Sequence, residues 1–447
     1  MNTASKKIQT VKFHSFGCKV NSYETSVMMN LVQNHRLNIV STDPDLHIIN
    51  TCSITANSER KIRQLINKIK RNNPNTPIIA VGCYSQSQPQ ILLSEGVNIV
   101  LGNKNKNSIN HAIDKLNINR NCRLNLLDYK VTEEEKVTEE ESDLYFNKSL
   151  KRTRAEIKIQ DGCDNFCSYC IVPYLRGAPK SRNIDSIIRE VRNLAENKFQ
   201  EIVLTGINLA KYKYRNSDLI DVVQKISEIS EIQRIRISSI EPEFFQINNI
   251  MRLCQIEKLC RHFHISLQSG SNTLLQRMNR KYTFENYYEK IDFLRKKFKD
   301  LELSTDIIVG FPNESDIEFN ETLTNVEKCE FLHMHVFPYS ERLFTKAQSN
   351  IQNGVWNKVD NSVKKTRVKQ LIQMSNKLKK QRLMRYINSE LEVLFESSNF
   401  GLTQNYLKVK LEKKIPAGIK KEQIIGKMSK VKIIDAKEDY LSALYPE

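Results

Sequence analysis

With 447 residues, 40% of them hydrophobic, the chain is too long for one ordinary core and is expected to divide into two or three domains. No apolar run approaches the roughly 20 residues needed to cross a bilayer, and Met1 to Thr10 lacks the apolar core of a secretory signal, so a cytoplasmic protein without membrane contact is expected. Lys plus Arg outnumber Asp plus Glu by 69 to 51, a formal charge of +18, which favours a polyanionic partner, nucleic acid first, over a merely solvated basic surface, because each neutralised phosphate releases counterions.

In chain order, "VKFHSFG" reads as a strand followed by a helix near Tyr23 to Val32, and "LHIIN" as a strand followed by a helix from about Ala56 to Arg71. "PIIAVG" and "VNIVLG" are two further strands. Such β/α alternation predicts a doubly wound parallel sheet with helices on its faces, filling residues 1–125. Cys18, Cys52 and Cys83 each follow one of the first three strands, in "FGCKVN", "NTCSIT" and "VGCYSQ". The carboxyl ends of parallel strands form one ligand-binding rim, so the three thiols are expected to converge; three buried structural thiols would have no reason to sit there. The acidic, repetitive stretch within residues 126–150 cannot bury much apolar surface and reads as a linker.

From residue 151 the alternation resumes with six strand candidates, "AEIKIQ", "EIVLTG", "RIRISS", "HFHISL", "LSTDIIVG" and "FLHMHVFPY", separated by helices such as Ile184 to Asn197, Asp218 to Ile229 and Phe284 to Phe298. This predicts a second sheet or a full or partial barrel over 151–385, again with its chemistry at strand carboxyl ends. Lys358 to Arg385 is a basic helix, either solvated or in contact with phosphates. Residues 386–447 alternate as strands, with Gly401, Gly418 and Gly426 between them, and predict a small all-β domain.

The chemistry concentrates in "IQDGCDNFCSYCIVPYLRGAPKSR", where Cys163, Cys167 and Cys170 are spaced C-x3-C-x2-C. A closed zinc site or fully ligated cluster takes four protein ligands. Three thiolates on a four-iron cube leave one iron open to a substrate or cofactor. This spacing, with aromatic Tyr169 before the last cysteine and the motif directly after a strand, resembles the radical S-adenosylmethionine (SAM) superfamily. The resemblance implies a partial (β/α)6 barrel, and SAM chelated at the open iron and cleaved there to a 5′-deoxyadenosyl radical.

The N-terminal motifs "FGCKVNSYET", "INTCSITANSERKIRQ" and "VGCYSQ", followed by that domain and a basic β domain, resemble the methylthiotransferase family along nearly the whole chain. The resemblance implies two [4Fe-4S] clusters: Cys18, Cys52 and Cys83 would ligate the auxiliary cluster, and Cys163, Cys167 and Cys170 the SAM cluster. It further implies a C-terminal TRAM-like RNA-binding domain and places Tyr169, Thr205, Gly206, Asn208, Ser239, Glu241 and Gln268 near SAM. One SAM would supply the methyl group of a methylthio unit and a second the radical that activates a C–H bond; no side-chain acid or base is demanded.

"GCKVNSYET", "NTCSITANSERKIRQ" and "CIVPYLRGAPKSR" look most like the branch that acts at C2 of N6-threonylcarbamoyladenosine at position 37 of tRNA. The alternatives are isopentenyladenosine in tRNA, an aspartate of a ribosomal protein, and a non-catalytic RNA-binding iron–sulfur protein. tRNA, an electron donor and a sulfur source are the expected partners of a monomer. Two departures from the family stand out, Asn313 where glycine is usual and Leu343 with Phe344 where a glycine commonly precedes Thr, so those loops are expected to differ in shape. Cys122, Cys254, Cys260 and Cys329 match no ligand pattern and are expected to be inert, and His262 and His264 to be packed polar residues.

Overall fold

The structure is a computed structural model describing residues 7–129, 153–412 and 424–445. From residue 130 on, the expected acidic linker lies outside the described residues, as does Gly418. The chain forms two compact units, each discontinuous in sequence: the first draws on Met1–Leu150, Asp161–Pro179 and Ser340–Gln348, the second on Lys151–Gln160, Lys180–Tyr339 and Ser349–Glu447.

The first unit is built on strands β1 (Thr10–Ser15), β2 (Asn38–Ile39), β3 (Leu46–Thr51), β4 (Ile78–Gly82), β5 (Ile99–Leu101) and β6 (Leu124–Asn125), ordered β2-β1-β3-β4-β5-β6. Every pairing is parallel. All six residues of β3 are buried, as a strand covered on both faces requires. Helices α1 (Lys19–Asn34), α2 (Ala56–Asn72), α3 (Cys83–Ser87), α4 (Pro89–Ser94) and α5 (Ile109–Ile118) make the connections. One apolar layer packs Val11, Ile48, Val81 and Leu101 with Met28 and Val32 of α1 and Ile113 of α5; the other packs Ile49 and Ala80 with Ile62 and Ile66 of α2. Thr55 caps α2, its hydroxyl accepting from the Ser58 amide at 3.2 Å, and Lys70 and Arg71 end it against the helix dipole. Strands β2 and β6 escape the sequence pattern because two residues show no alternation.

In the second unit, β7 (Arg154–Lys158), Glu201–Thr205 and Arg234–Ile237 form one parallel sheet, and His262–His264, Glu302–Val309 and His333–Pro338 another. Parallel bridges Ile235–Leu259 and Ile240–Ile265 join them, giving the expected six-strand partial barrel in sequential order. Behind it, Glu390–Phe395, Phe400–Thr403, Lys408–Leu411, Met428–Ala436 and Leu441–Leu444 close a small β-barrel. Gly401, expected between strands, lies inside one: a Cβ there would stand 2.5 Å from the Leu394 carbonyl oxygen, so glycine permits the strands' close approach.

The small barrel seals the amino-terminal floor of the partial barrel. Arg236, fully buried, donates to Glu201 at 2.8 Å and to the carbonyls of Gln404 (3.1 Å) and Thr403 (3.3 Å). Its guanidinium lies 4.9 Å from the Tyr406 ring centre, and that ring stacks on His262. Arg234 donates to Leu402 O at 3.1 Å and Glu392 O at 2.8 Å.

Candidate functional site

Sheet topology carries the three N-terminal cysteines to one rim. Cys18 is the N-cap of α1, Cys52 directly follows β3, and Cys83 is the first residue of α3 directly after β4. Gly17, at φ +98°, brings the first rim loop onto the second: a Cβ on it would lie 2.7 Å from both Cβ and Sγ of Cys52. Cys83 packs against Ile171, Leu175 and Leu343, with Asn103 Nδ2 3.6 Å from its sulfur.

The three thiols act on one another. Burial pushes Cys52 up to about 12, with Cys83 and Cys18 adding to the rise. Burial likewise raises Cys18, Cys83 adds to it, and the Arg176 guanidinium opposes it. Thiolates this buried persist only beside compensating positive charge, which a bound metal cluster supplies, so the donor set fits an iron–sulfur cluster. Among the described residues no three Cys, His, Asp or Glu side chains close on a point that one metal ion could occupy. Thiolates bound to different irons of a cluster need no such point.

A buried polar network holds the rim. The Asn21 amide donates to Phe16 O at 2.9 Å and Thr51 O at 3.0 Å, Asn50 donates to Asn21 O at 2.9 Å, and the Thr51 hydroxyl donates to Val81 O at 2.7 Å. Arg176 ends the helix Val172–Arg176; its side chain is 2% exposed. It donates to Glu24 at 3.0 and 3.2 Å, Asp161 at 3.0 Å and Asn21 Oδ1 at 2.8 Å, while Lys106 also pairs with Glu24. None of these contacts is visible in the sequence. Glu24 and Arg176 both sit inside the cysteine motifs, but they are 152 positions apart and no spacing rule joins them.

The second triad lies on a tight loop of the same unit. Gly162, at φ +74°, runs against the chain that returns from it: a Cβ would meet Ala178 O at 2.2 Å. Across the loop, Cys163 N donates to Gly177 O and Cys170 N to Cys167 O, both at 2.9 Å. Cys167 is buried, whereas Cys163, Tyr169 and Cys170 are half-buried. Ala347 N fastens the loop by donating to Ser168 O at 2.8 Å.

The remaining expected site residues all lie at strand carboxyl ends of the second unit. Thr205 closes its strand, with Gly206 and Asn208 after it; the Asn208 amide donates to Gln160 Oε1 at 2.7 Å, and a Cβ on Gly206 would meet Leu209 at 2.8 Å. Ser239 and Glu241 follow Arg234–Ile237, Ser239 exposed and Glu241 ion-paired with Arg280. Gln268, at φ +70°, bridges to Ile307. His264 Nε2 lies 3.1 Å from Asp306, and His262 pairs with the Ser304 hydroxyl at 2.9 Å; both are packed polar residues. Burial pushes the Cys260 and Cys329 thiols to about 12, in keeping with inertness, while Cys122 and Cys254 are half-buried.

Both departures from glycine sit on positive-φ backbone. Asn313 at φ +60° and Phe344 at φ +67° both hold the left-handed backbone that glycine would favour. Asn313 compensates by accepting from Asn357 N at 2.7 Å, a device open to Asn and closed to Phe.

Residues 157–326 match the Radical SAM superfamily, and residues 10–102 the Uncharacterized protein family UPF0004. The chain is 37% identical to a Bacillus subtilis protein named threonylcarbamoyladenosine tRNA methylthiotransferase MtaB, over 96% of this chain and 95% of that one. An Aquifex aeolicus protein of the same name is 33% identical, covering 90% and 96%. A Thermodesulfovibrio yellowstonii tRNA-2-methylthio-N(6)-dimethylallyladenosine synthase is 30% identical, covering 94% and 96%. Among solved structures, the radical SAM methyltransferase TsrM from Kitasatospora setae shares the fold with TM-score 0.57 at 14% identity, over 78% of each chain.

Proposed function

This chain belongs to the radical SAM tRNA methylthiotransferase family, and from that membership we propose that it inserts a methylthio group at C2 of N6-threonylcarbamoyladenosine at position 37 of tRNA. The observation that carries the reading is the second cysteine set. A radical SAM enzyme needs only Cys163, Cys167 and Cys170, and Cys18, Cys52 and Cys83 on a separate sheet rim call for a sulfur-handling centre beside it.

On this reading Cys163, Cys167 and Cys170 hold the SAM cluster and Cys18, Cys52 and Cys83 an auxiliary four-iron cluster. Bound SAM and the clusters supply the radical, the sulfur and the methyl group. The protein's own residues position and enclose. Arg176, Glu24, Asn21 and Asp161 fix the rim loops, and Ile171, Leu175 and Leu343 keep water from the Cys83 side. Thr205, Gly206, Asn208, Ser239, Glu241 and Gln268, with Tyr169, are assigned to SAM binding. The partners are tRNA, an electron donor and a sulfur source outside this chain; a monomer suffices. Among the described residues no helix is long and apolar enough to cross a membrane, and a cytoplasmic setting, which keeps thiols reduced, belongs to the proposal. The C-terminal small barrel is read as a TRAM-like RNA-binding domain.

Mass spectrometry of tRNA nucleosides from source cells with and without the gene tests it. The 2-methylthio form of threonylcarbamoyladenosine disappears and its precursor accumulates. Persistence of that nucleoside overturns the substrate, and loss of a 2-methylthio isopentenyl nucleoside in the same run would reassign it to the dimethylallyladenosine branch.

A further inference from the structure

Beside the C-x3-C-x2-C loop the first unit displays three aromatic rings. Phe166, Tyr174 and Phe344 are 51%, 47% and 57% exposed. Phe166 meets Tyr174 edge-on at 5.7 Å between ring centres, and Tyr174 meets Phe344 tilted at 6.3 Å. The rings come from two separate stretches of chain, Asp161–Pro179 and Ser340–Gln348, and the outer two stand on left-handed backbone, φ +46° at Phe166 and +67° at Phe344. A bulky side chain in that region is strained, and strain of this kind persists where the surrounding structure over-determines it, most often at functional sites. Phe344 has no packing reason to be aromatic, since more than half of it is in water.

The chain around Phe344 is fastened to α2. Ala56 N donates to Ser340 Oγ at 3.0 Å, and Arg342 pairs with Glu59 at 2.8 Å. Beyond that junction α2 exposes Arg60, Lys61 and Lys68, Lys68 lying eight and seven positions after the other two and so on their side of the helix. Exposed aromatic faces, with cationic side chains on the helix to which their loop is fastened, match the two features that single-stranded nucleic acid presents, π-faces and phosphates.

We propose that Phe166, Tyr174 and Phe344 form a stacking platform for an unpaired nucleobase of the substrate RNA, with Arg60, Lys61 and Lys68 facing the phosphates that follow it. The inference rests on the RNA substrate of the preceding section and assigns the N-terminal unit, not only the small C-terminal barrel, to RNA binding. Stacking takes no sequence-specific hydrogen bond, so the platform would hold the loop open for whichever base lies there.

The test is equilibrium binding of the full-length reconstituted enzyme, without SAM, to a tRNA anticodon stem-loop carrying 2-aminopurine at successive loop positions. Phe344→Gly is the informative variant, because glycine suits the existing backbone and the fold is kept. It is expected to weaken binding about tenfold with an unchanged salt slope, and to abolish 2-aminopurine quenching at one loop position. Arg60→Gln with Lys61→Gln is expected to lower the salt slope by roughly two instead. If Phe344→Gly and Tyr174→Ala bind and quench like wild type, the platform is refuted while the function stands. If the wild-type enzyme binds no tRNA stem-loop, both fall.

Discussion

Arg176 donates to both carboxylate oxygens of Glu24, at 3.0 and 3.2 Å, and so ties the helix that follows one cysteine triad to the helix that follows the first cysteine of the other. The pair is buried, and removing one member of a buried pair costs about 3–5 kcal/mol because the other charge is left uncompensated. Lys106 still faces Glu24, which puts Arg176→Ala near the lower end, about 3 kcal/mol. Urea unfolding of the metal-free protein measures this. Arg176→Lys should recover little, since a single ammonium cannot reach Glu24, Asp161 and Asn21 together. A loss under about 1 kcal/mol in the alanine variant would mean the pair is no clamp.

The two glycines against the triads should separate them. Gly17→Ala drives a methyl group into Cys52, and Gly162→Ala drives one into Ala178 O, each on backbone that disfavours alanine. After anaerobic reconstitution, Gly17→Ala is expected to lose the iron of the first triad yet still form 5′-deoxyadenosine from SAM. Gly162→Ala is expected to lose that cleavage. Iron content and nucleoside chromatography read the two outcomes, and equal damage in both assays for both variants would contradict two independent centres.

His14 and His47 share a 2.9 Å contact across β1 and β3, and burial pulls both down to about 4, helped at His14 by the neighbouring His47 and Lys12 and at His47 by Lys12 and Lys70. An unfolded histidine titrates near 6.5. The unfolded state therefore binds more protons than the folded one between those values. Their contribution to stability is complete above about pH 6.5 and is lost as pH falls towards 4. Thermal melts at stepped pH should show the midpoint falling over that window, and His47→Gln should flatten the fall. An unchanged slope in the variant would count against the pair as its source.

Arg236 joins the floor of the partial barrel to the small barrel through Glu201, Thr403 and Gln404. Arg236→Ala is expected to cost about 3 kcal/mol, by the same uncompensated-charge argument applied to fully buried Glu201. Truncation after residue 385 should remove the cooperative melt of the remaining protein, because Arg234 and Arg236 lose the carbonyls they serve. A truncated protein that melts as sharply as the full chain would show the small barrel to be a detachable module.

The elements and the cysteines were legible because each has a local cause. Strands such as Leu46–Thr51 and helices such as Ala56–Asn72 announce themselves by runs and caps within a few residues, and the cysteines were placed by the rule that parallel strands end on one rim. Phe400–Thr403 stayed hidden because Gly401 reads as a turn until its partner strands are seen. The clamp at Arg176 stayed hidden for a different reason. Buried Arg, Glu and Lys look like surface residues in a sequence, and only the fold removes them from water. Likewise nothing near Phe344 in the sequence shows that it stands on left-handed backbone, which only the folded loop reveals.

The discontinuity of the first unit has a temporal side. On a ribosome adding about 5–20 residues per second, the 152 residues between Glu24 and Arg176 take roughly 8–30 s to emerge. Leu343, which covers Cys83, comes later still. Through that interval the nascent sheet can hold its strands, but its three thiols stand on an unroofed rim, open to oxidants and to stray metal. Delivery of the cluster proposed for Cys18, Cys52 and Cys83 would therefore be an event for the finished chain, and synthesis would be most vulnerable to oxygen in the gap between the first triad and the segments that arrive to enclose it.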